Sequence, residues 1–149
     1  MVIQDFAPEL KARYDTPESH IAVGDLGEKV GEEILRNYEG FDLVEKPKKT
    51  MLGQPFDRLC RKEGKWYIVE IKGSKHGIVG TPSHTQKRRM RQVLETIKEL
   101  EPVLLQIDLI ACKYKIRSGK EVRDLIVDTE RKRLNIENII NWVQGVIDS

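Results

Sequence analysis

The alternation of apolar and polar positions along the chain predicts three helices and five strands. Apolar residues recur at helical spacing in three segments, and β-favouring residues cluster in five shorter ones. In chain order we predict a helix over 25–38, strands over 41–45, 58–61 and 66–71, a helix over 83–100, strands over 103–116 and 121–128, and an amphipathic helix over 136–147 that Asn135 caps. Residues 1–20 contain two prolines and no apolar period, so we expect an N-terminal arm there. This order predicts one α/β domain over 1–149, with a mixed β-sheet flanked by helices.

The segment 53–74 predicts a β-hairpin around which the rest of the chain is organised. Gly64 takes a positive φ at no steric cost, so Glu63-Gly64 is the expected turn. If these two residues form the whole loop, antiparallel pairing sets three facing pairs, namely Lys62 with Lys65, Leu59 with Ile68, and Asp57 with Glu70.

Two acidic side chains directly opposite one another, about 5 Å apart, repel in a sheet. A divalent cation between Asp57 and Glu70 would explain why both are present, since hard cations take carboxylate oxygens as ligands. Lys72 lies two residues beyond Glu70 and therefore on the same face of the strand. The alternative is a longer loop, which would shift the register and leave two unrelated solvated acids.

The second predicted helix has a clear beginning. Ser83 and Gln86 match a capping box, and Gln86 continues the apolar stripe toward the sheet. Four cations crowd the first turns, where they oppose the helix dipole unless a phosphate is bound: Lys87, Arg88, Arg89 and Arg91. The alternative is an ordinary solvated charged face.

The first predicted helix carries three acids that could reach the sheet. Glu28 lies at the edge of the buried face, and Glu32 and Glu33 are alternatives. Each of the three could instead be a solvated acid near the helix start. Gly31 weakens the helix and predicts close packing against a neighbour.

The charge distribution is uneven along the chain. Residues 46–91 hold 13 Lys or Arg against 3 Asp or Glu, although the whole chain carries only +2. A segment of +10 around a pair of carboxylates indicates a polyanionic partner held near a metal, unless the cations only solubilise this surface. No apolar run has membrane-spanning length, so we expect no membrane contact and a soluble, cytoplasmic protein.

These residues resemble the PD-(D/E)XK nuclease superfamily. The resemblance covers about residues 24–112 and consists of a helix with Glu28, then Gly53 with Pro55-Phe56-Asp57, then Glu70-Ile71-Lys72, then a helix that opens with Gln86. Two features differ from the family pattern, because Phe56 splits its Pro-Asp pair and the helix acid has three candidates. The small stand-alone members, among them archaeal Holliday junction resolvases, are of similar size and act as dimers. Their arginine-rich N-terminal signature is not evident here.

The resemblance implies a three-layer restriction-endonuclease-like core and a metal-dependent endonuclease that cleaves nucleic acid, DNA in the first place. Asp57, Glu70 and the backbone carbonyl of Ile71 would hold Mg²⁺ or Mn²⁺, with Glu28 in the shell directly or through water. Lys72 would orient the attacking water, and Gln86 would position a phosphate or water. The nucleic-acid backbone would be contacted by Lys75, Lys87, Arg88, Arg89 and Arg91. A homodimer is a further expectation. The alternatives are a nuclease fold that binds nucleic acid without cleaving it, and a protein-interaction subunit.

Overall fold

The computed structural model describes residues 3–15, 22–48, 55–127 and 134–149. These residues form six strands and five helices. In chain order the elements are β1 (Gln4–Asp5), α1 (Pro8–Ala12), α2 (Val23–Asn37), β2 (Leu43–Glu45), β3 (Arg58–Lys62), β4 (Lys65–Ser74), α3 (His84–Thr96), β5 (Leu100–Asp108), β6 (Lys113–Ser118), α4 (Lys120–Leu125) and α5 (Glu137–Asp148). The predicted α/β fold with a mixed sheet is confirmed. Gly53 and Asp128 lie outside the described residues.

All six strands form one sheet in the order β1-β6-β5-β4-β3-β2. The central strands β4 and β5 are parallel, and the other neighbours are antiparallel. Helix α3 connects β4 to β5, as a parallel pair requires a crossover. No helix within the described residues is both long and apolar enough to cross a bilayer.

Each face of the sheet is covered by its own apolar core. Val69 and Ile71 of β4 pack with the buried stripe of α2, whereas Ile68 of the same strand packs with α3, α4 and α5. Side chains alternate between the two faces of a strand, so one strand serves both cores. Glu70 and Lys72 share their parity with Ile68 and are therefore on the face that α3 covers.

The β3–β4 hairpin has the predicted register. Leu59 pairs with Ile68, and Lys62 pairs with Lys65. The turn residues Glu63 and Gly64 have φ values of 52° and 76°, the left-handed geometry that a two-residue hairpin loop requires.

Close packing of α2 on β4 explains the glycine inside that helix. A Cβ atom on Gly31 would lie 2.8 Å from Cγ2 of Ile71, and one on Gly27 would lie 3.1 Å from the Cα atom of Gly73. The helix backbone therefore approaches the strand more closely than side chains would allow. This contact sets the distance between α2 and the strand that carries Glu70.

Two predicted elements around β5 and β6 had the wrong bounds. The second helix ends at Thr96 and not at about Leu100, and Pro102 lies within β5. Pro102 is tolerated there because β6 pairs with β5 only from Val103 onward, so the missing N–H removes no bond of that ladder. The predicted strand over 103–116 is in fact the end of β5, a turn and β6. The carboxylate of Asp108 makes this turn by accepting hydrogen bonds from the amides of Ile110 and Ala111.

The predicted strand over 121–128 was also wrong, because its described part forms α4. Val122 and Ile126 are both buried, and their separation of four residues places them on one helical face. The start of α5 is shifted by one residue from the prediction, since Ile136 is its N-cap. Asn135 still accepts a hydrogen bond of 3.4 Å from the amide of Glu137.

The N-terminal segment is more ordered than the expected arm. Over residues 3–15 it forms β1, which pairs with β6, and α1, which packs on α2. Phe6 and Leu10 are buried in the core on the α2 side of the sheet.

Gly31→Ala should lower the free energy of unfolding by about 1–2 kcal/mol, because overpacking against the stiff β-branched Ile71 outweighs the gain in helix propensity. Urea unfolding of the variant and of wild type measures this difference. Gly24→Ala in the first turn of the same helix is the matched control, since its Cβ would have no neighbour within 4 Å. The control should be unchanged or more stable. An equal gain in both variants would contradict the close contact between α2 and β4.

Candidate active site

Asp57 and Glu70 meet at the open end of the β3–β4 hairpin. Their paired ladder ends at Arg58 and Val69, one residue short of these two acids. The amide of Asp57 donates to the Val69 carbonyl at 3.0 Å, and its carboxylate accepts from the amide of Ile71 at 2.7 Å. Asp57 is thus fixed by the backbone of β4 on both sides of Glu70.

Glu70 is almost completely buried, with 1% of its surface exposed. Its Oε1 accepts from the side-chain amide of Gln86 at 3.0 Å and lies 3.8 Å from the ammonium group of Lys72. Its Oε2 is buried and has no hydrogen-bond partner among the described residues. Buried carboxylate oxygens are usually hydrogen-bonded, so this atom calls for an explanation.

Burial raises the pKa of Glu70 well above its ordinary value, and the neighbouring Asp57 raises it further through its charge and as a hydrogen-bond partner. Lys72 opposes the shift, and the more distant Glu28 adds to it. When both acids are ionised neither can donate a hydrogen bond, whereas a single proton can be shared between them. A proton on Glu70 would therefore relieve the repulsion between the two carboxylates.

Gln86 connects the beginning of α3 to the acidic pair. The capping box with Ser83 is confirmed, because the Ser83 hydroxyl accepts from the Gln86 amide and the Gln86 side chain accepts from the Ser83 amide at 2.8 Å. The same Oε1 atom of Gln86 also accepts from the ammonium group of Lys72 at 2.9 Å. Gln86, the N3 residue of this capping box, therefore also positions Lys72 and Glu70.

The three candidate acids of α2 do not all have the same partner. Glu28 and Glu32 both bind the guanidinium of Arg58, at 3.0 Å and 3.2 Å. Glu33 instead accepts from the hydroxyl of Tyr14 at 2.9 Å and pairs with Arg13, so it ties α1 to α2 and lies outside the site.

Arg58 is the residue of this region that sequence reasoning missed. Its side chain is 4% exposed, and it also donates to the carbonyl of Asp57 at 2.7 Å. The hairpin register places Arg58 on the sheet face opposite Asp57, but only the structure shows that α2 covers that face. Arg58 joins the helix acids to the hairpin and holds Glu28 near the site.

The basic residues predicted to contact nucleic acid differ in their burial and in their neighbours. Lys75 is exposed in the loop after β4, and Lys87, Arg88 and Arg89 are half-buried on the first turns of α3. Arg88 lies 2.7 Å from the ring nitrogen of His84. Arg91 pairs with Glu95 and lines a cleft with Arg123 of α4, and its contact with nucleic acid stays a prediction.

No protein-family model matches the chain, and no curated protein is significantly similar to it. The chemistry of the site is therefore argued from its own geometry.

The donor set fits a hard divalent cation in part. Asp57 and Glu70 supply two adjacent carboxylates, and the Oε2 atom of Glu70 has no other partner among the described residues. Across those residues, no group of three or more His, Cys, Asp or Glu side chains could hold a metal ion. Mg²⁺ commonly binds through one or two carboxylates and completes its octahedron with water and substrate phosphate oxygens. Two carboxylates are thus sufficient for a cation that binds together with an anionic substrate.

In the metal-free protein, the pKa of Glu70 should make stability fall as pH rises. Above about pH 4.3, the usual pKa of Glu, the Glu70 side chain has lost its proton in the unfolded chain but keeps it in the folded protein. The folded state therefore binds more protons, and the free energy of unfolding decreases until pH passes the folded pKa. Glu70→Gln removes this term, so the variant should gain stability relative to wild type across that interval.

Urea unfolding in EDTA at several pH values measures this divergence. Glu45→Gln on the exposed edge strand controls for the substitution itself. A stability difference between Glu70→Gln and wild type that stays constant with pH would show that the buried acid is not perturbed.

Proposed function

We propose that this protein is a metal-dependent nuclease that hydrolyses phosphodiester bonds in nucleic acid, with DNA as the substrate. One observation carries the proposal, which is the buried pair of Asp57 and Glu70 bonded into a network with Lys72 and Gln86. A buried Glu70 with a raised pKa, next to a second acid and an ammonium group, is costly to stability and typical of catalytic sites.

The fold supports the same proposal. From α2 onward the order is one helix, three antiparallel strands, a crossover helix and a strand parallel to β4. Helices cover both faces of this sheet. This order agrees with the three-layer restriction-endonuclease-like core that the sequence resemblance to the PD-(D/E)XK superfamily implies, with Glu70 and Lys72 on β4 and Asp57 directly before β3. The homodimer that this resemblance implies stays a prediction.

Asp57 and Glu70 would hold Mg²⁺ or Mn²⁺, with the carbonyl of Ile71 as a third oxygen and Glu28 acting through a water. A bound cation of this kind lowers the pKa of a water ligand and neutralises charge on a phosphate. The protein's own contacts hold Asp57 and Glu28 in place. Asp57 is fixed by the Ile71 amide, and Glu28 is held by Arg58.

Lys72 supplies the positive charge that faces the developing charge on the phosphate. A preorganised donor of this kind acts most strongly in a site with little water, and this side chain is about three-quarters buried, with 26% exposed. Gln86 holds the ammonium group by accepting one hydrogen bond from it. The lysine therefore enters the reaction already oriented.

The basic residues beside the site would hold the nucleic-acid backbone. Lys87, Arg88 and Arg89 directly follow Gln86 on α3, and Lys75 directly follows β4, the strand that carries Lys72. Contacts to phosphate oxygens fix the position of a duplex without reading its sequence. A phosphate near this helix terminus would also offset the unfavourable cations of the first turns.

Pure protein incubated with labelled single-stranded, duplex and four-way-junction DNA should cleave at least one of them in Mg²⁺ or Mn²⁺, and none in EDTA. Asp57→Ala, Glu70→Ala and Lys72→Ala should each lower the cleavage rate by at least about a hundredfold. Lys65→Ala at the far end of the same strand is the matched control and should keep the wild-type rate. Cleavage by Asp57→Ala at the wild-type rate would refute the proposed site.

Binding separates the alternatives if wild type does not cleave. Retention of DNA in Ca²⁺ without cleavage in Mg²⁺ or Mn²⁺ would identify a nucleic-acid-binding module with a nuclease-like fold. Failure to bind any of the DNAs would instead favour a protein-interaction subunit.

A further inference from the structure

The loop over residues 75–82 lies directly against the stem of Lys72. A Cβ atom on Gly80 would lie 3.1 Å from Cβ and 3.5 Å from Cγ of Lys72. Gly80 has φ +101°, a conformation that side-chain-bearing residues rarely adopt. The loop backbone thus lies so close to the lysine that a side chain at position 80 would crowd the lysine stem.

Gln106 fastens this loop to the sheet. It lies beside Lys72 in the parallel pairing of β4 and β5, so both side chains are on the same face. The side chain of Gln106 is buried, with 5% exposed, and its amide donates to the carbonyl of Gly80 at 2.8 Å. A buried donor that reaches a loop carbonyl across the neighbouring strand fixes where that loop lies.

We infer that Gly80 and Gln106 are positioning residues for Lys72. The lysine stem is confined on one side by the backbone of Gly80, and its ammonium group is held at the far end by Gln86. A lysine has a flexible four-carbon stem, so confinement of the stem determines how often the ammonium group occupies its site. The catalytic consequence of this inference rests on the proposed nuclease activity, whereas the structural consequence does not.

Three variants separate these contacts from general strain. Gly80→Ala places a methyl group against Lys72, and Gln106→Met removes the donor to Gly80 while keeping a side chain of similar length. Gly77→Ala is the matched control, because Gly77 has φ +106° but a Cβ there would have no neighbour within 4 Å. Circular dichroism and thermal melts establish which variants are folded.

The first readout does not depend on activity. A brief exposure to an amine-acylating reagent, followed by peptide mass spectrometry, measures how fast Lys72 is modified. We expect severalfold faster modification of Lys72 in Gly80→Ala and in Gln106→Met, with an unchanged rate at Lys65 as an internal reference. In Gly77→Ala, the reagent should modify Lys72 at the wild-type rate.

The second readout is single-turnover cleavage of whichever DNA the wild type cuts. Gly80→Ala and Gln106→Met should lower the rate at saturating protein about tenfold, and leave the dissociation constant for DNA in Ca²⁺ unchanged. Wild-type modification of Lys72 in both variants would overturn the inference, as would equal effects of Gly77→Ala and Gly80→Ala. Absence of cleavage by wild type would refute the proposed function alone, because the modification rates still test the position of Lys72.

Discussion

The desolvation of Glu70 is the constraint on which the site depends. A carboxylate in the middle of a central strand, beside a second carboxylate, is disfavoured in its charged form by burial and by repulsion. Its neighbours provide only partial compensation, since one oxygen meets Gln86 and Lys72 while the other has no partner among the described residues. An apolar residue at position 70 would remove both the cost of burying a charge and the repulsion from Asp57. The arrangement is explained if a cation completes it.

Several parts of the fold serve to hold this acid in place. On one face of β4, the backbone contact of α2 through its glycines sets the height of the helix above the strand. On the other face, the N-terminus of α3 brings Gln86 to Glu70. Arg58 connects α2 to the hairpin through Glu28 and Glu32, and it also donates to the carbonyl of Asp57. The candidate site therefore lies where the main layers of the molecule meet.

Local chemistry made part of this structure predictable. The two-residue turn at Glu63-Gly64 was enough to predict the hairpin register, because residues pair outward from the turn one by one. The Ser83–Gln86 capping box predicted the beginning of α3. The turn after β5 was not recognised because the segment is rich in Ile, Leu and Val and was interpreted as one long strand. The relevant signal was Asp108, whose side chain accepts hydrogen bonds from two following amides.

The remaining features depend on contacts between residues distant in the sequence. Arg58 was overlooked because its partners are 26 and 30 residues away, on a helix whose position over the sheet no local pattern reveals. The link between Gln106 and Gly80 likewise spans 26 residues and requires the parallel register of β4 and β5. The short helix α4 was mistaken for a strand, since a segment of six residues offers little periodicity to distinguish the two.

The central claim is that Asp57 and Glu70 together form a cation site, and thermal melts of Asp57→Asn test it most directly. Asparagine keeps an acceptor for the Ile71 amide and removes one of the two like charges. In EDTA the variant should be at least as stable as wild type. Millimolar Mn²⁺ should raise the melting temperature of wild type in a concentration-dependent way, because it binds only the folded site, and should raise that of the variant far less. A variant that is clearly destabilised in EDTA and still shows the full response to Mn²⁺ would contradict the account.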